Sequence, residues 1–201
     1  MASRSNPVCQ QILDTAQSLI GGRGFVAVGL NEILQAAKVP KGSFYHYFGS
    51  KDAFGEALLE RYFDAYMSQL EALFGQPGLS AAERLLNYWA HWRATQADCD
   101  PKGQCLAVKL AAEVSDLSQP MRAVLQQGTD RIIARLASVI DEAFADGSLP
   151  PSAVAASPLA AVLYQLWLGA SLRAKITRDA EPLELALAAS YRLLGLSRSV
   201  A

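Results

Sequence analysis

Apolar residues recur at helical spacing in nearly every segment of this chain of 201 residues. One such stripe near the amino terminus consists of Ile12, Leu13, Ala16, Leu19 and Ile20. No segment shows the sustained alternation of apolar and polar residues that is typical of a half-buried β-strand. The sequence therefore predicts an all-α fold with about nine helices.

Capping residues, glycines and prolines divide this pattern into separate helices. Asn6-Pro7 and Ser157-Pro158 each place a capping side chain before a proline, which predicts two helix starts. Residues 80–83 form a capping-box pattern that predicts a third start. Gly21-Gly22 is expected to end the first helix, and a long helix is expected over residues 51–74.

Charge is distributed unevenly along the chain. Residues 1–51 contain five cationic and two acidic side chains, a net charge of +3, whereas the remaining residues carry −4. In the same basic segment, two short predicted helices follow a longer one across a tight turn that contains Gly42, which is the pattern of a helix-turn-helix. The second of the two short helices would then enter the major groove of DNA.

This second helix, Ser43 to Phe48, carries aromatic residues on both faces. Phe44 and Phe48 are four residues apart and are expected to pack inward. Tyr45, His46 and Tyr47 are then left facing outward with hydrogen-bonding groups at their tips. A solvent-facing aromatic surface of this kind indicates that something binds there.

The run VPKGSFYHYFGSK at residues 39–51 closely resembles the signature of TetR-type transcriptional regulators. The resemblance implies a homodimeric repressor that binds a palindromic site in double-stranded operator DNA and is released by a small-molecule effector. It also implies a helix-turn-helix DNA-binding domain over residues 1–50 and a helical ligand-binding and dimerisation domain over residues 51–201. The helix at 51–74 would link the two domains.

The same resemblance implies which side chains contact DNA. Carried over by position, the contacts are Asn31, Lys41, Gly42, Ser43, Tyr45, His46, Tyr47 and Lys51. Lys41, Tyr45 and Lys51 are expected to contact phosphates, whereas base edges are expected to be read by Lys41 and His46. Gly29 stands where a Thr or Ser cap is usual in the family.

A second similarity lies in the carboxy-terminal part of the chain. Residues 103–118 and 166–175 are similar to the electrophile-responsive branch of the family, typified by the N-ethylmaleimide-responsive and acrylate-responsive repressors. This similarity implies that Cys105 is a sensor. Independently, Cys105 follows a polar turn at a predicted helix start, where free backbone N–H groups stabilise a thiolate.

Three further side chains are expected to belong to this sensor region. Lys109 or Lys175 would add positive charge near the thiolate, and Trp167 is either a pocket residue or part of the core. Cys99 lies six residues before Cys105 and is a candidate resolving thiol. The alternative interpretation is that Cys105 is a small buried apolar residue. The repressor would then respond to a noncovalent apolar ligand.

An enzyme is the more distant alternative. The chain has two histidines, and it contains no zinc motif, phosphate loop or Ser-His-Asp order. A small helical enzyme is therefore disfavoured, and no metal or cofactor is expected. A gel shift with the promoter region of the chain's own gene would distinguish a regulator from an enzyme.

Hydropathy bears on location and assembly. The first thirty residues lack the continuous apolar run of a secretory signal, and residues 158–172 fall short of the ~20 residues that span a membrane. A cytoplasmic protein without a membrane partner is expected.

The helix that contains residues 159–172 is apolar nearly all round and must be buried by something, which predicts a homodimer through this helix and its neighbours.

Overall fold

The computed structural model describes residues 6–97, 113–116 and 118–197, and these residues form eight helices and no strand. The helices are α1 (Pro7–Arg23), α2 (Leu30–Ala36), α3 (Lys41–Phe48), α4 (Lys51–Phe74), α5 (Ala81–Ala97), α6 (Gln119–Ala145), α7 (Ala156–Thr177) and α8 (Glu181–Leu193). The predicted all-α fold is confirmed. The predicted helix that starts at Cys105 lies mostly outside the described residues, although Glu113 and Val114 are helical.

Side-chain caps fix several helix starts where the sequence predicted them. Asn6 Oδ1 accepts a hydrogen bond from the Val8 amide at 2.9 Å at the start of α1. Before α5, the Glu83 amide donates to Ser80 Oγ at 3.3 Å, and the Ser80 amide donates to the Glu83 carboxylate at 2.7 Å. The backbone hydrogen bond from Ser80 lowers the pKa of Glu83. These bonds confirm the capping box.

Two predicted helix boundaries are wrong. Gly21-Gly22 does not end α1, which continues to Arg23 and ends at Gly24, where φ is 94°. Glycine weakens a helix but does not by itself stop it, whereas the positive φ of Gly24 turns the chain away. α7 begins at Ala156 after Ala155, so Ser157 and Pro158 lie in its first turn and Ser157 is not the cap. Proline is tolerated there because amides of the first turn have no intrahelical acceptor.

The chain divides into two compact units. The amino-terminal unit comprises Met1–Ala65 and Asp100–Gly128, and the carboxy-terminal unit comprises Tyr66–Cys99 and Thr129–Ala201. α4 and α6 each contribute residues to both units. Among helices in the described ranges, none combines the length and apolar character needed to cross a membrane.

The core of the carboxy-terminal unit is built around tryptophans. The indole rings of Trp89 and Trp167 are stacked, with centroids 5.1 Å apart and planes 10° from parallel. The indole N–H of Trp92 donates to Ser171 Oγ and that of Trp167 donates to Ser190 Oγ, both at 2.9 Å. Because buried polar groups need partners, these two serines satisfy the N–H groups of Trp92 and Trp167, whereas the buried indole N–H of Trp89 has no hydrogen-bond partner among the described residues.

Close helix approach in the amino-terminal unit depends on Gly128 of α6. A Cβ built on this residue would lie 2.3 Å from ring atoms of Phe63 in α4, and Phe63 is fully buried. A ring in a filled core cannot move aside at low cost. The absence of a side chain at residue 128 therefore allows α4 and α6 to approach at this level.

We expect Gly128→Ala to destabilise the protein because its methyl group overpacks this contact. The cost should be about 1–3 kcal/mol, which lowers Tm by a few degrees in a thermal unfolding experiment. The double variant Gly128→Ala with Phe63→Leu should lose less than the sum of the two single changes, because the smaller side chain leaves room for the methyl group. Parental Tm in Gly128→Ala would contradict the packing described here.

Candidate nucleic-acid interface

α3 has one buried face and one exposed face. Phe44 is completely buried and Phe48 nearly so, with their ring centroids 5.1 Å apart. On the opposite side, Tyr45 is 49% exposed and His46 is exposed. Tyr47 is half-buried, so the three residues predicted to face outward are not equally accessible.

The remaining predicted DNA contacts on α2 and α3 are accessible to different degrees. Asn31, Lys41 and Gly42 are exposed, whereas Ser43 is half-buried. A Cβ built on Gly42 would meet no atom within 4 Å, so this position presents bare backbone to the outside. A surface without a side chain allows a ligand to approach the backbone closely.

α2 begins without a side-chain cap. Gly29 occupies the capping position with φ of −73° and ψ of 144°, and no side chain there accepts a hydrogen bond. The Glu32 and Ile33 amides instead donate to the Gly29 carbonyl at 3.1 and 3.2 Å. The start of this helix therefore offers amide groups but no hydroxyl to a neighbouring molecule.

Lys51, at the first position of α4, contacts the α1–α2 turn. Its Nζ lies 4.9 Å from the centroid of the Phe25 ring and 3.5 Å from the Val28 carbonyl oxygen. The side chain is half-buried. Its ammonium group is therefore positioned by cation–π attraction and a long, weak backbone contact rather than extended freely into solvent.

The electrostatics of the first fifty residues favour an anionic partner. The two acidic side chains there, Asp14 and Glu32, form ion pairs with Arg61 and Arg23, respectively. Lys38 and Lys41 are exposed, and neither forms an ion pair with any residue in the described ranges. The surface around the turn between α2 and α3 is therefore positively charged.

Sequence reasoning missed Glu113, which contacts the α1–α2 turn of the helix-turn-helix. The Val26 amide donates to Glu113 Oε2 at 3.2 Å. A Cβ on Gly24 would lie 2.2 Å from Glu113 Oε1, so the glycine makes room for this carboxylate. No local pattern indicates this contact, because its two sides are 87 residues apart in sequence.

The predicted sensor residues are not brought together in the described part of the chain. Cys105, Lys109 and Cys99 lie outside the described residues. Trp167 is fully buried in the tryptophan stack, and Lys175 is exposed near the end of α7. The structure thus places Trp167 in the core, which is one of the two alternatives given for it above.

An all-helical chain with a basic helix-turn-helix and an exposed aromatic recognition helix defines a DNA-binding regulator. Comparison with known families agrees with this class. Residues 12–58 match the family described as bacterial regulatory proteins, tetR family, and residues 81–190 match the tetracyclin repressor-like C-terminal domain. The chain belongs to the TetR family.

Several relatives share most of its length. It is 43% identical over 181 residues to the HTH-type transcriptional repressor NemR of Escherichia coli K12, covering 89% of each chain. It is 36% identical over 165 residues to the transcriptional regulator AcuR of Cereibacter sphaeroides, covering 80% of this chain and 73% of AcuR. The crystal structure of E. coli NemR in its reduced form has a TM-score of 0.85 at 42% identity and covers 94% of this chain and 98% of that one.

Proposed function

We propose that this chain is a homodimeric transcriptional repressor that binds palindromic operator DNA through α3 and releases it when Cys105 is modified. In this proposal, residues 1–50 read DNA, and residues 51–201 carry the effector response and the dimer contacts. The observation that carries the DNA-binding part is the two-faced α3. Phe44 and Phe48 fix one face in the core, and the other presents Tyr45 and His46 outward.

Three kinds of contact are assigned to this surface. Lys41, Tyr45 and Lys51 bind phosphates and set the position of α3 on the duplex. His46 and Lys41 reach base edges in the major groove, where a lysine reads the acceptors of guanine. Asn31, Gly42, Ser43 and Tyr47 complete the contact surface, and the bare backbone at Gly42 lets the duplex approach.

The names of the relatives support a repressor. NemR and DhaR, the latter from Mycobacterium sp. GP1, are both named HTH-type transcriptional repressors. This chain is 32% identical to DhaR over 188 residues, covering 94% of this chain and 92% of DhaR. Because the similarity to both spans nearly the full length, we extend repression to this chain.

A row of exposed apolar side chains supports the dimer. Val162, Leu172 and Ile176 of α7 are 49, 51 and 65% exposed, and Leu185 and Leu193 of α8 are 63 and 41% exposed. The three α7 residues are separated by ten and four positions, which places them on one face of the helix. Large apolar side chains exposed on one face of a helix are typical of an interface, and a second copy of the chain would bury them.

The effector part of the proposal rests on thiol chemistry and on similarity. With an electrophilic alkene such as N-ethylmaleimide, the Cys105 thiolate forms a C–S bond, the alkene π electrons shift onto the adjacent carbonyl, and water supplies the proton. With hypochlorous acid, chlorine transfers to sulfur and hydroxide leaves. The similar E. coli structure is of NemR in its reduced form. A repressor that instead binds an apolar ligand noncovalently is the competing proposal.

We expect Tyr45→Ala and Lys51→Ala to weaken operator binding. Each change removes one proposed phosphate contact. Lys51→Ala should also lower the magnitude of the slope of log K against log salt by about 0.9, because it removes a cation, whereas Tyr45→Ala removes a neutral group and should leave the slope nearly unchanged. Fluorescence anisotropy with a labelled operator fragment, measured at several salt concentrations, tests this. His91→Ala, which changes an exposed side chain of α5, is the control and should bind like the parent. Parental affinity in both test variants would remove these residues from the interface.

We expect the protein to sediment as a dimer at micromolar concentration. Leu172→Glu with Ile176→Glu should shift it toward monomer, because two charges would be buried in an apolar interface. The dimer should bind half-sites about 34–36 Å apart or at a multiple of that spacing. Glu substitutions at Val26 and Val154, exposed apolar residues outside α7 and α8, are the control. A monomeric parent would refute the dimer.

We expect Cys105→Ser to bind operator with parental affinity but to remain bound after treatment with N-ethylmaleimide or hypochlorite. An adduct needs to favour the released conformation by only ~1.4 kcal/mol to change the population ratio tenfold. Cys99→Ser and Cys9→Ala should be released like the parent; Cys9 is 1% exposed, so its substitution should remove no reactive thiol. Release of Cys105→Ser by these reagents as readily as the parent would favour the noncovalent proposal.

A further inference from the structure

We propose that Lys38, in the turn between α2 and α3, is a further phosphate-binding residue that contacts the operator backbone beside Lys41. The proposal rests on the DNA-binding function proposed above and adds a residue that the signature motif does not include. It is carried by three observations: the backbone conformation of Lys38, the bonds that fix the turn, and the composition of the adjoining groove.

Lys38 has a left-handed backbone conformation, with φ of 53°. Among the described non-glycine residues, only Lys38 and Arg178 have positive φ. Each follows the end of a helix, where glycine usually supplies this conformation because it has no Cβ to clash. A lysine at this position is thus tolerated at a cost in stability, which a glycine would relieve.

The turn is fixed by hydrogen bonds on both sides of Lys38. The Lys38 amide donates to the Gln35 carbonyl at 3.1 Å, and the Val39 amide donates to the Leu34 carbonyl at 3.0 Å. From α1, the Gln11 side-chain amide donates to the Ala37 carbonyl at 2.9 Å. These bonds determine the direction in which the Lys38 side chain leaves the backbone.

That side chain lines an open groove of about 420 Å³ between α2 and α3. The groove is lined by Asn31, Leu34, Gln35, Lys38, Val39, Pro40 and Lys41. It thus contains two lysines, two side-chain amides and no carboxylate. Asn31 and Lys41 are already assigned to the DNA interface, so the same groove brings Lys38 to the edge of that interface.

A phosphodiester of the operator is the partner that this chemistry fits. Lysine ammonium groups and amide N–H groups are the donors that bind phosphate oxygens in protein–DNA complexes. The nearby carboxylate of Glu32 is paired with Arg23 and does not line the groove. Lys38 and Lys41 are three residues apart, so they would bind two neighbouring phosphates or the same phosphate from two sides. Lys38 would thus add a contact that does not depend on the base sequence.

Two substitutions separate the charge of Lys38 from its backbone conformation. Lys38→Gly relieves the strain and should raise Tm by about 2–4 °C, yet lower operator affinity about threefold to tenfold. Lys38→Gln keeps the strain and should lower affinity equally without raising Tm. In both variants, the slope of log K against log salt should fall in magnitude by about 0.9. Lys38→Arg should retain parental affinity and slope.

Arg178→Gly is the matched control. Arg178 has φ of 54° at the end of α7, and the following amide of Asp179 donates to the Ala174 carbonyl at 3.3 Å, as Val39 donates to Leu34. Arg178 belongs to the carboxy-terminal unit. Its substitution should raise Tm by a similar amount and leave operator affinity unchanged.

Parental affinity and salt slope in both Lys38→Gly and Lys38→Gln would overturn the proposal. A loss of affinity in Lys38→Gly alone would also overturn it, because the turn conformation rather than the charge would then matter. If the parent fails to bind any operator fragment, the proposed function is wrong. If the parent binds and the Lys38 variants bind equally well, only the role of Lys38 is wrong.

Discussion

Phe44 attaches α3 to the rest of the amino-terminal unit, because its fully buried ring lies 5.3 Å from that of Phe54 in α4, and the Phe48 ring lies 5.1 Å from the same Phe54 ring. A helix of eight residues is not stable by itself in water, since few hydrogen bonds offset the cost of nucleation. The orientation of α3 therefore comes from this packing. With Phe44 and Phe48 inward, the helical period leaves Tyr45 and His46 outward, so the position of the proposed DNA-facing surface follows from the packing of the core.

The α1–α2 turn also supports the proposed DNA-binding surface. Glu113 accepts a hydrogen bond from the Val26 amide on one side of this turn, and Lys51 contacts Phe25 on the other. Gly24 meets two demands at once, because its φ of 94° and its contact with the carboxylate both exclude a Cβ. A residue distant in sequence thus contributes to the position of a predicted DNA-contacting lysine.

Local sequence patterns were sufficient to predict the helices, but they were not sufficient to predict which residues of different helices contact one another. The caps at Asn6 and Ser80 were predictable because a capping side chain bonds amides two or three residues away. The end of α1 at Gly24 was not, since the sequence offers three glycines, Gly21, Gly22 and Gly24, and no local pattern shows which of them has the positive φ that ends the helix. The aromatic pattern of α3 predicts a recognition helix. The left-handed conformation of Lys38 could not be predicted, because glycine is the residue that usually indicates such a conformation after a helix.

The packing of α4 against α6 provides a route by which the proposed effector signal would reach the proposed DNA-binding surface. A Cβ on Gly55 of α4 would lie 2.5 Å from Met121 Sδ of α6 and 3.0 Å from Phe25 Cζ, so these three residues meet with no spare volume. Close-packed contacts of this kind switch between discrete arrangements rather than deforming smoothly. Met121 lies beside Gly55, as does the ring of Phe25. Glu113 accepts a hydrogen bond from the Val26 amide and lies eight residues after Cys105 in the sequence. In the proposed function, a displacement that starts at a modified Cys105 would pass along eight residues of chain to Glu113. It would then cross the hydrogen bond between Glu113 and the Val26 amide to the turn that contains Phe25, which contacts Lys51.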